Sequence, residues 1–212
     1  NAIIGFSDML RTRLFGPLGN SRYEEYATYI NDAGQHLLTL INDVLELSRL
    51  DNNNLALSTQ PTLLSDLVTF CARAFDNGAE SGRVEVRTDC DATLDIDPRL
   101  MRQVLLNLLS NALKYSKAGS PVVIDAIRTP GGDLGIRVSD RGIGIPASKL
   151  DSVMQPFVQL NDYGIVGQGL GLGLSLAGRF MDLHGGRLEI ESVEGEGTIV
   201  TAWLPAARLL PP

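Results

Sequence analysis

The sequence predicts an α+β protein in which a helical hairpin, pairing into a dimeric four-helix bundle, precedes an α/β sandwich. A heptad of apolar residues comes first, a polar break follows it, and alternating helix and strand patterns fill the remainder. Fifteen of the 22 glycines lie between positions 131 and 197, which indicates loops that approach a ligand closely or move. We expect the hairpin to span residues 1–51 and the sandwich residues 55–205.

The bulk composition argues against several classes of protein. A net charge of −7 disfavours sequence-independent nucleic-acid binding, which needs a basic face against the phosphates. No signal peptide and no bilayer-spanning apolar run occurs, so we expect a cytoplasmic fragment without membrane contact, leaving open a membrane anchor upstream. Cys71 and Cys90 lack metal-ligand spacing and are interpreted as reduced thiols. Asn1 falls in the middle of a helical pattern, so we interpret it as a cut end.

The hairpin is predicted from a first helix over residues 1–15, which Gly16 and Pro17 end, and a second helix that Ser21 caps with Glu24 in a capping box. Apolar residues then recur at alternating spacings of three and four: Tyr23, Tyr26, Ile30, Ala33, Leu37, Leu40, Val44 and Leu47. This heptad seam predicts a homodimer through residues 1–50, because two hairpins bury such seams as a four-helix bundle. The alternative is a helix packed on its own domain.

The polar segment at 51–54 marks the expected domain boundary, and the pattern changes after it. The elements predicted there are a helix at 62–79, a strand near 84–88, a helix from Asp97-Pro98 to Tyr115, strands at about 121–129 and 134–139, an irregular loop to about 168, a helix at 170–184, and a hairpin of strands 187–192 and 198–204.

The most informative feature is a polar stripe on the helix that begins at Asp97-Pro98. Asn107, Asn111, Lys114 and Tyr115 recur at helical spacing, so they lie on one face beside an apolar stripe. Amide, amine and aromatic groups that face the same way suit Mg²⁺, a phosphate and a purine. The stripe therefore predicts a nucleotide site.

Two glycine-rich motifs accompany this stripe, Asp140-Arg141-Gly142-Ile143-Gly144 and the segment 167–174, Gly-Gln-Gly-Leu-Gly-Leu-Gly-Leu. Neither is a Walker loop, because the sequence contains no Gly-x-x-x-x-Gly-Lys-Ser/Thr. We therefore expect a nucleotide site of another kind. Plain turns and caps would explain both motifs only by several coincidences.

These motifs, in this order, resemble the catalytic core of two-component sensor histidine kinases. Residues 1–50 resemble the dimerisation and phosphotransfer hairpin, including His36-Leu37-Leu38-Thr39-Leu40-Ile41-Asn42-Asp43. Residues 55–205 resemble the ATP-binding domain shared with DNA gyrase, heat-shock chaperones and mismatch-repair ATPases. The resemblance implies a kinase that uses ATP and Mg²⁺ and passes its phosphoryl group to the receiver domain of a response regulator.

The resemblance also implies roles for individual residues. Asn111 resembles the Mg²⁺ ligand and Lys114 the phosphate contact, and both are the expected catalytic residues. Tyr115 resembles the aromatic residue that packs on the adenine side of the nucleotide, and Asp140 resembles the carboxylate that accepts a hydrogen bond from the adenine amino group. The remaining expected nucleotide-binding residues are Asn107 on the stripe, Gly142 and Gly144 where the backbone passes the base, Phe157 as anchor of the mobile ATP lid, and Gly169, Leu170, Gly171, Leu172 and Gly173 at the start of the next helix.

One position separates kinase from ATPase. The gyrase and chaperone relatives carry a Glu four residues before the Mg²⁺-binding Asn, where it activates water. Asn107 stands there in this chain and cannot act as a general base. The resemblance therefore favours transfer to a positioned imidazole, which depends on positioning and charge neutralisation, over hydrolysis.

The chain departs from the family pattern in its acceptor and its lid. The acceptor box is expected immediately before Asn1, and we interpret His36 and His184, the two histidines present, as structural. We expect a truncated kinase that does not phosphorylate itself; a protein that acts in trans and a nucleotide-binding scaffold without transfer activity are the alternatives. No Lys or Arg occurs from Leu150 to Gly178, and Leu170 replaces a usual hydroxyl, so we expect slow transfer with near-normal adenine binding, and Lys117 or Arg141 as helpers.

Overall fold

The computed structural model describes residues 2–14, 16–51, 56–76, 81–88, 90, 92–158 and 170–211. The helices are α1 (Ala2–Arg11), α2 (Ser21–Asp51), α3 (Leu64–Arg73), α4 (Pro98–Tyr115) and α5 (Gly173–Leu183). The strands are β1 (Gln60–Leu63), β2 (Val84–Arg87), β3 (Thr93–Ile96), β4 (Val122–Arg128), β5 (Leu134–Ser139), β6 (Arg187–Val193), β7 (Gly197–Leu204) and β8 (Leu209–Leu210).

Helices α1 and α2 form the predicted hairpin around a small buried polar contact. Asn31 Nδ2 donates to the Ile4 carbonyl oxygen and to Ser7 Oγ, each at 3.1 Å. Gly34 lets the helices approach, because a Cβ there would lie 2.9 Å from Ile4 Cγ1. Buried amide and hydroxyl groups must be paired, so this contact favours one register of α1 against α2.

The start of α2 differs from the prediction at its cap. Ser21 is the first helical residue, and Asn20 Oδ1 accepts the hydrogen bond from the Arg22 N–H at 3.0 Å. Glu24 bonds the Arg13 side chain at 2.6 Å. The cap is therefore Asn20, whose side chain reaches the second helical N–H in the usual way.

The heptad seam remains uncovered along most of α2. Five of its side chains are exposed by 44–59%: Tyr23, Tyr26, Ile30, Leu37 and Val44. Leu40 is half-buried beside the second part of the fold, and the side chain of Leu47 lies outside the described residues. Helix α1 packs on a different stripe of α2, which includes Ala27 and Asn31. The contact between the two helices of the hairpin therefore does not bury the seam.

The rest of the chain is the predicted α/β sandwich. Its large sheet has the order β2-β4-β5-β7-β6 and is antiparallel except for the β2–β4 pair. Helices α3, α4 and α5 contribute Leu67, Leu105 and Phe180 to one core with Ile124 and Ile136 of the sheet. This core supports the helices that carry the polar stripe and the second glycine motif.

A second, three-stranded sheet of order β1-β3-β8 was not predicted. Residues 60–63 pair with residues 93–96, so α3 starts only at Leu64, and it ends at Arg73 instead of at 79. Strands of two to four residues are too short for a recognisable period, and their pairing is non-local. The predicted helix at 62–79 was therefore too long at both ends.

Helix α4 begins where the sequence predicted. Asp97 accepts hydrogen bonds from the N–H groups of Arg99 and Leu100 at 3.0 and 3.3 Å, and Pro98 occupies the first turn. Helix α5 begins at Gly173 rather than at 170, with Leu172 as its N-cap. The start of α4 is therefore confirmed, and the start of α5 lies three residues later than predicted.

No helix among the described residues combines the length and apolar character needed to cross a membrane.

Candidate functional site

A cavity of about 390 Å³ lies between α4, α5 and the ends of strands β5 and β7. It brings together most of the predicted site residues. Those that line it are Asn107, Asn111, Lys114, Tyr115, Asp140, Gly144, Leu170, Gly171, Leu172 and Gly173. Gly142 and Phe157 lie outside its lining, and Gly169 falls outside the described residues.

The polar stripe of α4 forms one wall. Its apolar neighbours Leu105, Leu108 and Ala112 are buried, so the helix presents the stripe to the cavity. Asn107 Nδ2 donates to the Gly173 carbonyl oxygen at 3.1 Å and so ties α4 to the first residue of α5. An amide at this position holds the two helices in register and offers no base for water activation.

Positive charge in the cavity comes from the end of α4. Among the described lining residues, Lys114 is the only Lys or Arg, and its Nζ lies 5.0 Å from the centroid of the Tyr115 ring. Lys117 and Arg141, the predicted helpers, are exposed and do not line the cavity. Lys114 is therefore the cationic side chain of the described lining that an anionic ligand would contact.

Asp140 directly follows strand β5 and also lines the cavity. Burial raises the pKa of its carboxyl above the usual 3.8, and hydrogen bonds from the backbones of Gly142 and Thr198 partly offset that rise. The bond from the Gly142 N–H is 2.7 Å long, and the Asp140 N–H donates to the Thr198 carbonyl oxygen at 2.9 Å. The carboxyl is thus an acceptor held in place by a backbone N–H at the lining of the cavity.

The glycines of the Asp-Arg-Gly-Ile-Gly loop are required by the protein's own backbone. A Cβ at Gly142 would lie 2.2 Å from the Tyr115 carbonyl oxygen. Gly144 has φ +64°, and a Cβ there would lie 2.1 Å from the Val193 carbonyl oxygen. Ile143 donates its N–H to Tyr115 O at 3.2 Å. The loop is therefore clamped between the end of α4 and the β6–β7 hairpin.

The N-terminus of α5 opens onto the same cavity. Its N-cap, Leu172, provides no side-chain hydrogen bond, so the first-turn amides are not capped by that side chain. Such amides carry the positive end of the helix dipole and bind anions. The predicted role of the second glycine motif is compatible with this geometry.

Phe157 directly precedes Val158, the last residue described before the 159–169 segment. Its N–H donates to the Gly171 carbonyl oxygen at 3.2 Å, which ties it to the start of α5. The ring is 63% exposed and the backbone φ is +66°, an uncommon conformation for an aromatic residue. Asn161 and the rest of the 159–169 segment fall outside the described residues.

Several residues that line the cavity were not predicted from the sequence. Thr198 and Val200 come from β7 and Ile145 follows the first glycine loop, and each carries only an ordinary strand or loop signal. Thr39 and Leu40 of α2 also line the cavity, although the sequence assigned this helix to the hairpin. Contacts of this kind have no local pattern because residues distant in sequence create them.

His184 is a structural residue, as predicted. It is fully buried at the C-terminus of α5, its Nδ1 donates to the Phe180 carbonyl oxygen at 2.7 Å, and its Nε2 accepts from the Asp97 N–H at 3.0 Å. Burial lowers the pKa of the imidazole from 6.5. The side chain of His36 lies outside the described residues.

The fold and the cavity define a nucleotide-binding α/β sandwich joined to a helical hairpin. Residues 96–208 match the family of histidine kinase-, DNA gyrase B-, and HSP90-like ATPases. Residues 1–53 match the His Kinase A (phospho-acceptor) domain. The chain therefore belongs to the histidine kinase-, gyrase B- and HSP90-like ATPase family, in the domain arrangement of a sensor histidine kinase core.

Similar proteins agree with this assignment. An uncharacterized sensor-like histidine kinase of Rhizobium meliloti is 39% identical over 210 residues, covering 97% of this chain and 40% of that protein. Histidine protein kinase DivJ of Caulobacter vibrioides is 40% identical over 208 residues, covering 97% and 34%. The structure of full-length ShkA in complex with AMPPNP aligns with a TM-score of 0.77 at 28% identity, covering 96% of this chain and 42% of that one. The chain thus spans less than half the length of these relatives.

Proposed function

We propose that this chain is the catalytic core of a two-component histidine kinase. It transfers the γ-phosphoryl group of Mg-ATP to a histidine, from which the group passes to an Asp of a response regulator. The observation that carries the proposal is the convergence of Asn111, Lys114, Asp140 and the α5 N-terminus on one cavity. ATP binding is the property that the family match supports most directly.

The cavity suggests one orientation for the nucleotide. Asp140 accepts a hydrogen bond from the adenine amino group, and Tyr115 packs on the same side. Lys114 and the amides of Gly173 and Leu174 meet the phosphates, since these groups carry the positive charge and the N–H donors of the lining. Adenine specificity then depends on Asp140. Phosphate binding depends on Lys114 and on the first amides of α5.

The donor set fits Mg²⁺ held mainly by the phosphates. Asn111 offers a neutral amide oxygen on the stripe beside Lys114, and Mg²⁺ in nucleotide sites usually retains waters and phosphate oxygens as ligands. The ion would supply neutralisation of phosphate charge. Asn107 and Asn111 are therefore proposed as site residues together with Gly142, Gly144, Phe157 and the 169–173 segment.

Transfer in this site depends on positioning. The imidazole nitrogen of the acceptor attacks the γ-phosphorus, the bond to the oxygen shared with the β-phosphate breaks, and ADP leaves. Lys114 stabilises charge on the phosphates, whereas Asn107 provides no base for water, so hydrolysis is not assisted at that position. These features support a kinase over a chaperone-type ATPase.

The hairpin is proposed to make a homodimer and to receive the response regulator. Residues 1–51 form one domain and residues 55–205 the other. The exposed seam of α2 supports pairing of two hairpins, because a monomer would leave a long apolar stripe in water. The exposed hairpin face near residues 6–30 is the expected docking surface for the receiver domain. We place this core in the cytoplasm, where ATP is available.

Phosphotransfer in trans tests the proposal. The chain is mixed with Mg²⁺, γ-labelled ATP and a longer histidine-bearing form of the same protein in which Asn111→Ala disables the nucleotide site. Acid-labile label on the longer chain, and none on this chain alone, is the expected result. Binding of ATP without label on either chain would contradict kinase activity and favour a nucleotide-binding scaffold.

A further inference from the structure

Arg83 reaches from the edge of the large sheet to the turn that follows α4. Its Nε donates to the Ser120 carbonyl oxygen at 3.2 Å, and its Nη2 donates to the Lys117 carbonyl oxygen at 3.3 Å and to Ser116 Oγ. The Arg83 carbonyl oxygen accepts from the Val122 N–H at 2.8 Å. One half-buried guanidinium therefore holds three points of one turn.

The turn that Arg83 holds extends the wall of the cavity. Lys114 and Tyr115, the last two residues of α4, line the cavity, and Ser116 caps the helix by donating its N–H to the Ala112 carbonyl oxygen at 3.0 Å. A shift of Ser116 therefore acts most directly on Tyr115, the lining residue to which it is covalently joined, whereas Lys114 lies one residue further back within α4.

The same turn also supports the first glycine loop. Ser116 forms an isolated antiparallel bridge with Gly142, and the Lys117 N–H donates to the Arg141 carbonyl oxygen at 3.4 Å. Asp140, which directly precedes Arg141 and Gly142, lines the cavity. Arg83 thus supports one turn that contacts both the end of α4 and the 140–144 loop, although Arg83 does not itself line the cavity.

We propose that Arg83 is a positioning residue for nucleotide binding, which sets the place of Tyr115 and of the 140–144 loop. This inference rests on the nucleotide site proposed above. Arg suits the task because its planar guanidinium donates in several fixed directions, whereas Lys donates from one point. The sequence alone offers no such role, since Arg83 and Ser116 are 33 positions apart.

The position of Arg83 predicts which kinetic quantity changes. ADP and ATP share the adenosine that the two walls hold, so loss of Arg83 weakens both by the same factor. The γ-phosphate end lies with Lys114 and α5, so the transfer rate at saturating ATP changes little. KM for ATP rises while kcat is retained, which a general loss of folded protein would not produce.

Calorimetric titration with ADP and with ATP tests the inference at a temperature where circular dichroism shows every variant folded. Arg83→Met keeps the apolar stem and should weaken both nucleotides about tenfold, as expected for losing hydrogen bonds from a charged donor. Arg83→Lys should lie between Arg83→Met and wild type. Arg87→Met removes an exposed arginine of strand β2, which directly follows Arg83; Arg87 is bonded to Glu85, and its loss should change affinity less than about twofold.

Amide hydrogen exchange without nucleotide gives an independent measurement. The Ile143 N–H, which donates to Tyr115 O, should exchange faster in Arg83→Met and unchanged in Arg87→Met. If Arg83→Met does not fold, Ser116→Ala removes one of the three acceptors and should weaken ADP by about threefold. Unchanged ADP affinity in the folded Arg83 variants, or an equal loss in Arg87→Met, overturns the inference. Failure of the wild-type protein to bind ADP would instead overturn the proposed nucleotide site.

Discussion

His184 accepts a hydrogen bond at Nε2 from the backbone N–H of Asp97, over 3.0 Å and 87 positions of sequence. Asp97 is the N-cap of α4, and His184 is the C-cap of α5. A protonated imidazole would carry hydrogen on both ring nitrogens and could not accept this bond. The contact therefore requires neutral His184, and it joins the ends of the two helices that carry the nucleotide site.

The stability of the α/β sandwich should fall on acidification because burial favours the neutral form of His184 in the folded state, the form that accepts this bond. The folded state holds the pKa of His184 below 6.5, so the unfolded chain binds the proton first as the pH falls. The stabilising contribution is therefore complete above pH 6.5 and is lost progressively below it. Urea unfolding between about pH 5.5 and 7.5 should show a positive slope of unfolding free energy against pH.

Two variants separate this histidine from the other one. His184→Gln should lower the unfolding free energy by about 2 kcal/mol at neutral pH and flatten the slope. His36→Gln should retain the slope. An unchanged slope in His184→Gln would show that the imidazole does not control the pH dependence.

Asp140→Asn should weaken adenine nucleotides by about tenfold or more, because the amide can still accept from the Gly142 N–H but no longer offers a carboxylate to the adenine amino group. Binding of ADP by calorimetry measures the effect. Since burial raises the pKa of Asp140, wild-type affinity should also decline on acidification earlier than for an ordinary carboxyl. Asp125→Asn, which disturbs the carboxylate bonded to Arg137 at 2.7 and 2.8 Å, is the control and should bind normally.

Gly142→Ala should lower the unfolding free energy by about 3 kcal/mol and weaken nucleotide binding, because its Cβ would meet a backbone oxygen that cannot rotate away. Gly131→Ala is the matched control, since its Cβ would have Thr129 Oγ1 at 3.7 Å as its nearest contact. Thermal unfolding and ADP binding compare the two. Equal stability of both variants would mean that the loop moves freely away from Tyr115.

Leu37→Glu should convert the proposed dimer into a monomer, because it places a charge in the middle of the seam. Leu37 is 57% exposed in the single chain, so the substitution costs the monomer little. Gln35→Glu introduces the same charge at an exposed position off the seam and should leave the dimer intact. Sedimentation equilibrium distinguishes the species; a dimeric Leu37→Glu variant would argue for the alternative packing of α2 on its own domain.

Asn161→Arg should raise the rate of phosphoryl transfer about tenfold, because it supplies a guanidinium for the terminal phosphate to a lid that contains no Lys or Arg. Asn161→Gln keeps a neutral amide and should have no effect. Rapid-quench measurements at saturating ATP compare the rates. No gain with Arg would indicate that Lys114 and Mg²⁺ already provide sufficient charge.

Local signals in the sequence determined the elements that carry the site. Asp97-Pro98 marked the start of α4, and the side chains of its polar stripe follow from helical spacing alone, so their convergence on one face was predictable. The heptad of α2 was equally readable, because periodicity is a property of consecutive residues. The structural role of His184 also followed from its position before Gly185. Its hydrogen-bond partner, the Asp97 N–H, could not be predicted in this way.

Only the tertiary structure decided which distant groups meet. The pairing of β1 with β3, the bond from Asp97 to His184 and the reach of Arg83 to Ser116 each join residues far apart in the chain. Thr39 and Thr198 reach the cavity in the same way, from elements whose sequences carry no nucleotide motif. Such contacts depend on how whole elements pack, and packing is set by the sum of many side-chain volumes that no local pattern encodes.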